Sequence, residues 1–192
     1  MKVKLEQIGP PQVTDNRPIY EAVLPYCTHR RVALDIGAYQ GEWSRLMAKD
    51  FGSVYAWEIR GQNRAMLLRD KPDNVVVLDV GLGSGHGLDL FTIRNGYAQH
   101  LALGREGRTF EYEVVPLDSY QLLVADLIKI DVDGSERNVL YGAVETIKRC
   151  KPVIVIETKF LNEWGRQDLL DLIGYESVAK VSPIDEVWVG RG

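Results

Sequence analysis

Two groups of residues have the types and spacing that chemistry needs. The first is Asp35-x-Gly37-x-x-x-Gly41, which closes the apolar run Arg31-Val-Ala-Leu-Asp-Ile36 and precedes a helical pattern from Glu42. A strand that turns through glycine into a helix presents backbone N–H groups at a helix N-terminus to a ligand. Gly37 permits a turn that a Cβ would forbid, and Gly41 lets the helix begin close to the ligand. Asp35 and Glu58 each end a strand, where open α/β sheets bind ligands. An acid about 20 residues past a glycine turn is placed to grip a ribose hydroxyl pair. Together these features predict a nucleoside-bearing cofactor. The second group is Lys129, Asp131 and Glu157. Lys129 and Asp131 are two apart on one strand and share a face, while Asp131 and Glu157 end consecutive strands. Two carboxylates can take a proton from a hydroxyl or hold a hard cation, and a lysine beside them can keep one ionised. No histidine joins them, so no metal is expected.

Plainer readings stand beside these. Asp133-x-x-Glu136 has the spacing of a capping box for a following helix, and Lys129 with Glu157 reads equally as a buried structural ion pair. His100 and the arginines at 94, 105 and 108 read as a solvated loop or as contacts to a substrate, an anionic one for the arginines. The Gly81-x-Gly83-x-Gly85-x-Gly87 run lacks the phase of a dinucleotide fingerprint and follows the third strand. It reads as a turn-rich loop whose first residues border an adenine.

The elements that must hold these groups alternate. Strands are predicted at 31–36, 53–58 and 74–80, with helices at 42–49 and 62–68 between them. That alternation is the pattern of a parallel, doubly wound sheet. A loose arm (1–17) and a short helix (18–24, with Asp15 or Asn16 near its cap) come first. The domain division expected is 1–29 for this arm and helix and 30–192 for one main domain, with an excursion at about 81–116 built on strands 88–93 and 109–115. Asp118-x-x-Gln121 reads as a capping box opening a short helix. A strand at 125–131, a long helix at 134–150, a strand at 152–157 and a helix at 164–173 follow. Strands 177–181 and 186–189 form a closing antiparallel pair joined through Pro183.

The 192 residues are the size of one domain with a substantial core. With 23 basic and 27 acidic side chains the net charge is −4, the wrong sign for a nucleic-acid partner. Cys27 and Cys150 lack metal or CxxC spacing and fit a reducing compartment. The start shows no signal-like apolar run and no segment is long enough to span a membrane. A cytoplasmic location without membrane partners is expected.

The turn Asp35-Ile-Gly-Ala-Tyr-Gln-Gly41 and the strand end Tyr55-Ala-Trp-Glu58 resemble motifs of class I S-adenosylmethionine-dependent methyltransferases. Val115-Pro-Leu-Asp-Ser-Tyr120, Ala125-Asp-Leu-Ile-Lys-Ile-Asp-Val-Asp-Gly-Ser-Glu136, Val139-Leu-Tyr-Gly-Ala143 and Pro152-Val-Ile-Val-Ile-Glu157 are similar to the hallmarks of the FkbM type. The resemblance spans roughly residues 30–160 and is most specific from Lys129 to Glu136. Ile59 departs from a proline often found there, and Asp133 from a glutamate. The resemblance implies a Rossmann-like α/β fold: a mostly parallel seven-stranded sheet with an antiparallel C-terminal strand and helices on both faces. It also implies S-adenosylmethionine as methyl donor and a hydroxyl acceptor on a small molecule, often a sugar. Carried over, Asp35, Gly37, Ala38 and Gly41 border the methionine end, Glu58 holds the ribose, and Val80 and Gly81 lie near the adenine. Asp131 then lies beside the reacting methyl, with Lys129 and Glu157 as its catalytic partners. A nicotinamide-dependent oxidoreductase and a non-catalytic module of degenerate methyltransferase fold share several of these features.

Overall fold

The computed structural model describes residues 15–94, 97–104, 106–161 and 172–191. Its central sheet is built from β1 (Val32–Ile36), β2 (Ser53–Trp57), β3 (Val75–Leu78), β8 (Leu127–Ile130), β9 (Val153–Glu157), β10 (Tyr175–Lys180) and β11 (Asp185–Gly190). Their order is β10-β11-β9-β8-β1-β2-β3. β11 pairs antiparallel with both neighbours, and every other pairing in this sheet is parallel.

Alternate residues of the central strands feed two cores. Leu34, Ile36, Ile128, Ile130, Ile154 and Ile156 face one side, against α4 (Glu136–Tyr141) and α5 (Val144–Cys150) through Val139, Leu140 and Ile147. Ala33, Leu127, Val153 and Val155 face the other side. They pack with Val23 of α1 (Arg17–Val23), Met47 of α2 (Glu42–Asp50) and Leu67 of α3 (Gly61–Arg69). A strand covered on both faces needs apolar residues at both parities, and each fully buried Leu or Ile contributes roughly 1.5–3 kcal/mol. The helices on both faces and the antiparallel closing strand agree with the expected architecture.

Residues 81–115 carry a second sheet, β4 (Gly81–Leu82), β5 (Gly87–Arg94), β6 (Tyr97–His100) and β7 (Arg108–Val115), in the order β4-β7-β5-β6. It is tied to the main sheet where the His100 N–H donates to the Asp133 carbonyl, 3.1 Å.

Three local expectations need correction. The strand at 74–80 ends at Leu78, because the chain leaves the central sheet to start β4. The long helix at 134–150 is two helices. Gly142 packs so closely on the loop after β4 that a Cβ there would lie 1.9 Å from the Gly83 carbonyl oxygen. Asp118 does not cap its own turn, a 3-10 helix at Leu117–Tyr120. Its carboxylate accepts the N–H groups of Glu145 (3.0 Å) and Thr146 (2.7 Å), so it caps α5 instead. The expected cap of α1 comes from Asp15, whose Oδ1 accepts the Arg17 N–H (3.1 Å), while the Asn16 amide donates to Glu42 instead (2.9 Å). The arm before residue 15 and most of the helix at 164–173 lie outside the described residues.

Candidate active site

The carboxyl ends of β1, β2, β8 and β9 open into a crevice with two connected lobes. The first holds about 660 Å³ of open space, the solvent at its mouth included, and lies between the central sheet and the second one. Its walls include Trp57, Ile59, Leu82 and Phe91, with Glu58 and Asn63 as polar groups. Val80 and Gly81 also line it. A Cβ on Gly81 would meet Val114 Cγ1 at 2.9 Å.

Glu58 is only 7% exposed. Its Oε2 accepts the Tyr39 N–H (2.8 Å) and its Oε1 the Arg60 N–H (2.7 Å). Burial pushes its pKa up, while these two bonds and Asn63 pull it back. The carboxylate is therefore fixed in direction, and each oxygen keeps acceptor capacity for hydroxyl groups.

The glycine turn works differently from the expectation. The N–H groups of Gly37 and Ala38 both donate to the Trp57 carbonyl (3.1 and 2.9 Å), and that of Gly41 donates to Ala38 (2.8 Å). With the Tyr39 N–H on Glu58, these donors are consumed inside the turn rather than aimed at a ligand. Gly37 has φ +78° and lies against β8, where a Cβ would fall 1.8 Å from the Asp131 carbonyl oxygen. Gly41, at φ +85°, would drive a Cβ to 2.8 Å from Leu67 of α3. Gly41 thus serves helix packing, and it lines neither lobe, whereas Gly37 lines both and Ala38 lines the second.

Asp35 is fully buried behind the turn and does not reach the crevice. It accepts the Ser44 hydroxyl (2.5 Å) and lies 3.5 Å from Lys129 Nζ, its register partner across β1 and β8. Lys129 Nζ also donates to the Gly37 carbonyl (2.8 Å) and lies 3.4 Å from Asp131 Oδ2. Burial lowers the pKa of this ammonium, but Asp131 and Asp35 outweigh burial and hold it above the usual lysine range. The buried ion pair is therefore Lys129 with Asp35, not with Glu157. Asp131 stands at the junction of the lobes with its side chain 46% exposed.

The second lobe is acidic. Glu157, Asp133, Asp185 and Glu42 line it with Asp131, against Lys129 and Lys159. Glu157 ends β9 opposite Asp185 of β11. It is 7% exposed, and its Oε2 has no hydrogen-bond partner among the described residues. Burial first, then the charges of Asp131, Asp133 and Glu136, push this carboxyl up to about 8. Glu136 accepts the N–H groups of Val132 and Gly134, while Asp133 takes a left-handed backbone (φ +47°) and bonds Gln99. The capping-box reading of Asp133 is thus replaced: its carboxyl borders both lobes. The stacked rings of Tyr39 and Tyr97 (5.1 Å, 12°) stand where the lobes meet.

His100 is structural within the second sheet, 3.1 Å from Asp89 and edge-on to Phe91. Arg108 stacks on Phe110; the Arg94 side chain and Arg105 lie outside the described set. Among the described residues no three His, Cys, Asp or Glu side chains are grouped to hold a metal ion. Sequence reasoning passed over Tyr39, Asn63 and Asp185. Asp185 had a legible signal, since it directly precedes the closing strand expected at 186–189, which the structure begins at Asp185 and pairs with β9.

A 3-2-1-8-9-11-10 sheet with an acid after β2 and an open crevice at the strand ends defines the class I methyltransferase architecture. The Methyltransferase FkbM domain matches residues 35–177, and the chain belongs to that family. A search of curated proteins finds no match. Among solved structures, an FkbM methyltransferase from Methylobacillus flagellatus KT is 18% identical, with a TM-score of 0.59 over 83% of this chain. The chain spans 42% of that protein's length. Precorrin 8w decarboxylase from Methanobacterium thermoautotrophicum is 13% identical, covering 95% of this chain and 93% of its own, with a TM-score of 0.56. A putative methyltransferase from Streptococcus mutans, solved with SAH, is 10% identical, covering 90% and 96%, with a TM-score of 0.53. At these identities the likeness is one of fold.

Proposed function

We propose that this chain uses S-adenosylmethionine to methylate a hydroxyl of a small-molecule acceptor, with saccharides among the candidates. The observation that carries the reading is the Glu58 carboxylate, held by the Tyr39 and Arg60 N–H groups at the wall of a crevice that also contains Asp131. The lobe fits an adenosyl group: flat and aliphatic walls from Trp57, Ile59 and Leu82, a close backbone approach at Gly81, and a directed carboxylate for ribose hydroxyls. When bound, the cofactor supplies an electrophilic sulfonium methyl.

The chain's own residues orient the acceptor and remove its proton. Gly37, Ala38, Tyr39 and Asp131 border the methionine end, while Val80 and Gly81 border the adenine. Asp131 accepts the proton of the attacking hydroxyl. Lys129 keeps a positive charge beside Asp131, and Asp35 with Ser44 fixes Lys129 from behind. Asp35 and Gly41 thus act by positioning rather than by touching ligand. Glu157 supplies the second carboxyl, on the acceptor side. The acidic second lobe and the net charge of −4 disfavour a polyanionic acceptor such as RNA.

Calorimetric titration with S-adenosylhomocysteine tests the cofactor assignment. Micromolar binding that Glu58→Gln weakens at least about tenfold is expected, since a carboxylate to a hydroxyl pair is a charge-assisted contact. Equal affinity in the variant removes the assignment of Glu58, and binding of NAD in place of the adenosyl thioether removes the methyl-transfer reading.

A further inference from the structure

Among the described residues, the acidic groups of the second lobe outnumber the basic ones. Five carboxyl groups (Glu42, Asp131, Asp133, Glu157 and Asp185) line it, against two ammonium groups. Lys129 is already committed to Asp35, Asp131 and the Gly37 carbonyl; Lys159 lies over the Phe160 ring, 4.9 Å from its centre, and its charge offsets only part of the field on Glu157 and Asp133. Asn16 and Ser182 satisfy part of Glu42 and Asp185. Glu157 is left apart: more than nine-tenths buried at the back of the lobe, with Oε2 unpaired among the described residues. A buried carboxylate without a partner is costly, and a cation seated in the lobe beside it offsets that cost.

We infer that the acceptor carries an ammonium group, which Glu157 and the neighbouring acids hold while a nearby hydroxyl of the same molecule faces Asp131. The acceptor class is thus an amine-bearing polyol, such as an amino sugar. This rests on the methyltransferase reading above and narrows its substrate. A metal ion is the rival occupant of an acidic lobe, but among the described residues no three acids are grouped to ligate one. An ammonium group needs only one or two carboxylates and a negative surrounding field, which is what the lobe offers. The pKa of Glu157, raised by the charges around it, agrees: a nearby cation would return it to the ionised form.

The test is calorimetric titration of the whole chain, with and without S-adenosylhomocysteine and with EDTA present throughout. The probes are glucosamine, N-acetylglucosamine and glucose phosphate. Glucosamine is expected to bind about tenfold or more tightly than its neutral acetylated form, and glucose phosphate least well. Glu157→Gln should remove most of that preference while leaving S-adenosylhomocysteine affinity unchanged. Asp133→Asn, at a left-handed position asparagine tolerates, should reduce it by a smaller factor. Equal binding of the amine and the amide overturns the inference, as does tighter binding of the phosphate. So does tight Mg²⁺ binding, titrated without EDTA, that Glu157→Gln abolishes. Loss of S-adenosylhomocysteine binding with the amine preference intact overturns the cofactor reading instead.

Discussion

Gly37 occupies a point where a side chain cannot stand. Its φ of +78° is unfavourable for any L residue, and the Asp131 carbonyl fills the space a Cβ would need. Gly37→Ala should therefore cost roughly 2–4 kcal/mol. For a chain of this length that lowers the melting temperature by about 5–10 °C, read by a thermal melt; a change under about 2 °C means the turn and β8 can separate freely. The residue most tightly enmeshed is Lys129. Removing its ammonium strands Asp35, which is wholly buried with Ser44 as its remaining partner. Lys129→Met should cost about 3–5 kcal/mol. Asp131 is different, because its side chain is half exposed at the junction of the lobes. Asp131→Asn should fold normally and lose about 100-fold in turnover, with a much smaller loss of S-adenosylhomocysteine affinity. Equal losses in turnover and cofactor affinity would place Asp131 in binding instead.

At the scale of elements, the strands were legible because those at the centre are covered on both faces, and continuous apolar runs report that directly. The break in the predicted 134–150 helix was not legible. Nothing in Tyr141-Gly-Ala143 demands it; the cause is the Gly83 carbonyl, brought in from a distant loop. The same holds for Lys129. Its spacing to Asp131 could be read along one strand, but its partner Asp35 follows only from the register of β1 on β8. Asp118 shows the effect in reverse: a capping residue was recognised by type and assigned to the wrong helix, because the helix it serves begins 26 residues later. Asp118→Ala should cost about 1 kcal/mol, or roughly 2–4 °C in melting temperature. Hydrogen exchange should speed up in the first turn of α5 and stay unchanged at Leu117–Tyr120. Faster exchange confined to the latter segment would restore the local-cap reading.

Over the whole molecule, the crevice and the loop behind it concentrate carboxyl groups whose protonation favours the folded state. Burial raises the pKa of Glu42, Glu58, Asp133, Glu136, Glu157 and Asp185, with Glu157 reaching about 8. Between the ordinary value of 4.5 and the raised one, the folded chain binds more protons at Glu157 than the unfolded chain. Stability from this group is therefore fully present below 4.5 and is lost as pH rises through about 8. Asp126 acts in the opposite sense. Burial pushes it up, but the Arg31 side chain and the N–H groups of Arg31 and Val32 outweigh that and hold it low. Its contribution is present above the ordinary value and falls away in acid. The two effects together set a stability maximum on the mildly acidic side of neutrality. Melting temperature should fall by several degrees from about pH 6 to about pH 9, and Glu157→Gln, which has no proton to lose, should flatten much of that slope. A parent curve as flat as the variant's would mean that Glu157 already has a cationic partner in the free protein, and the acidic lobe would then have no charge left to offer an acceptor.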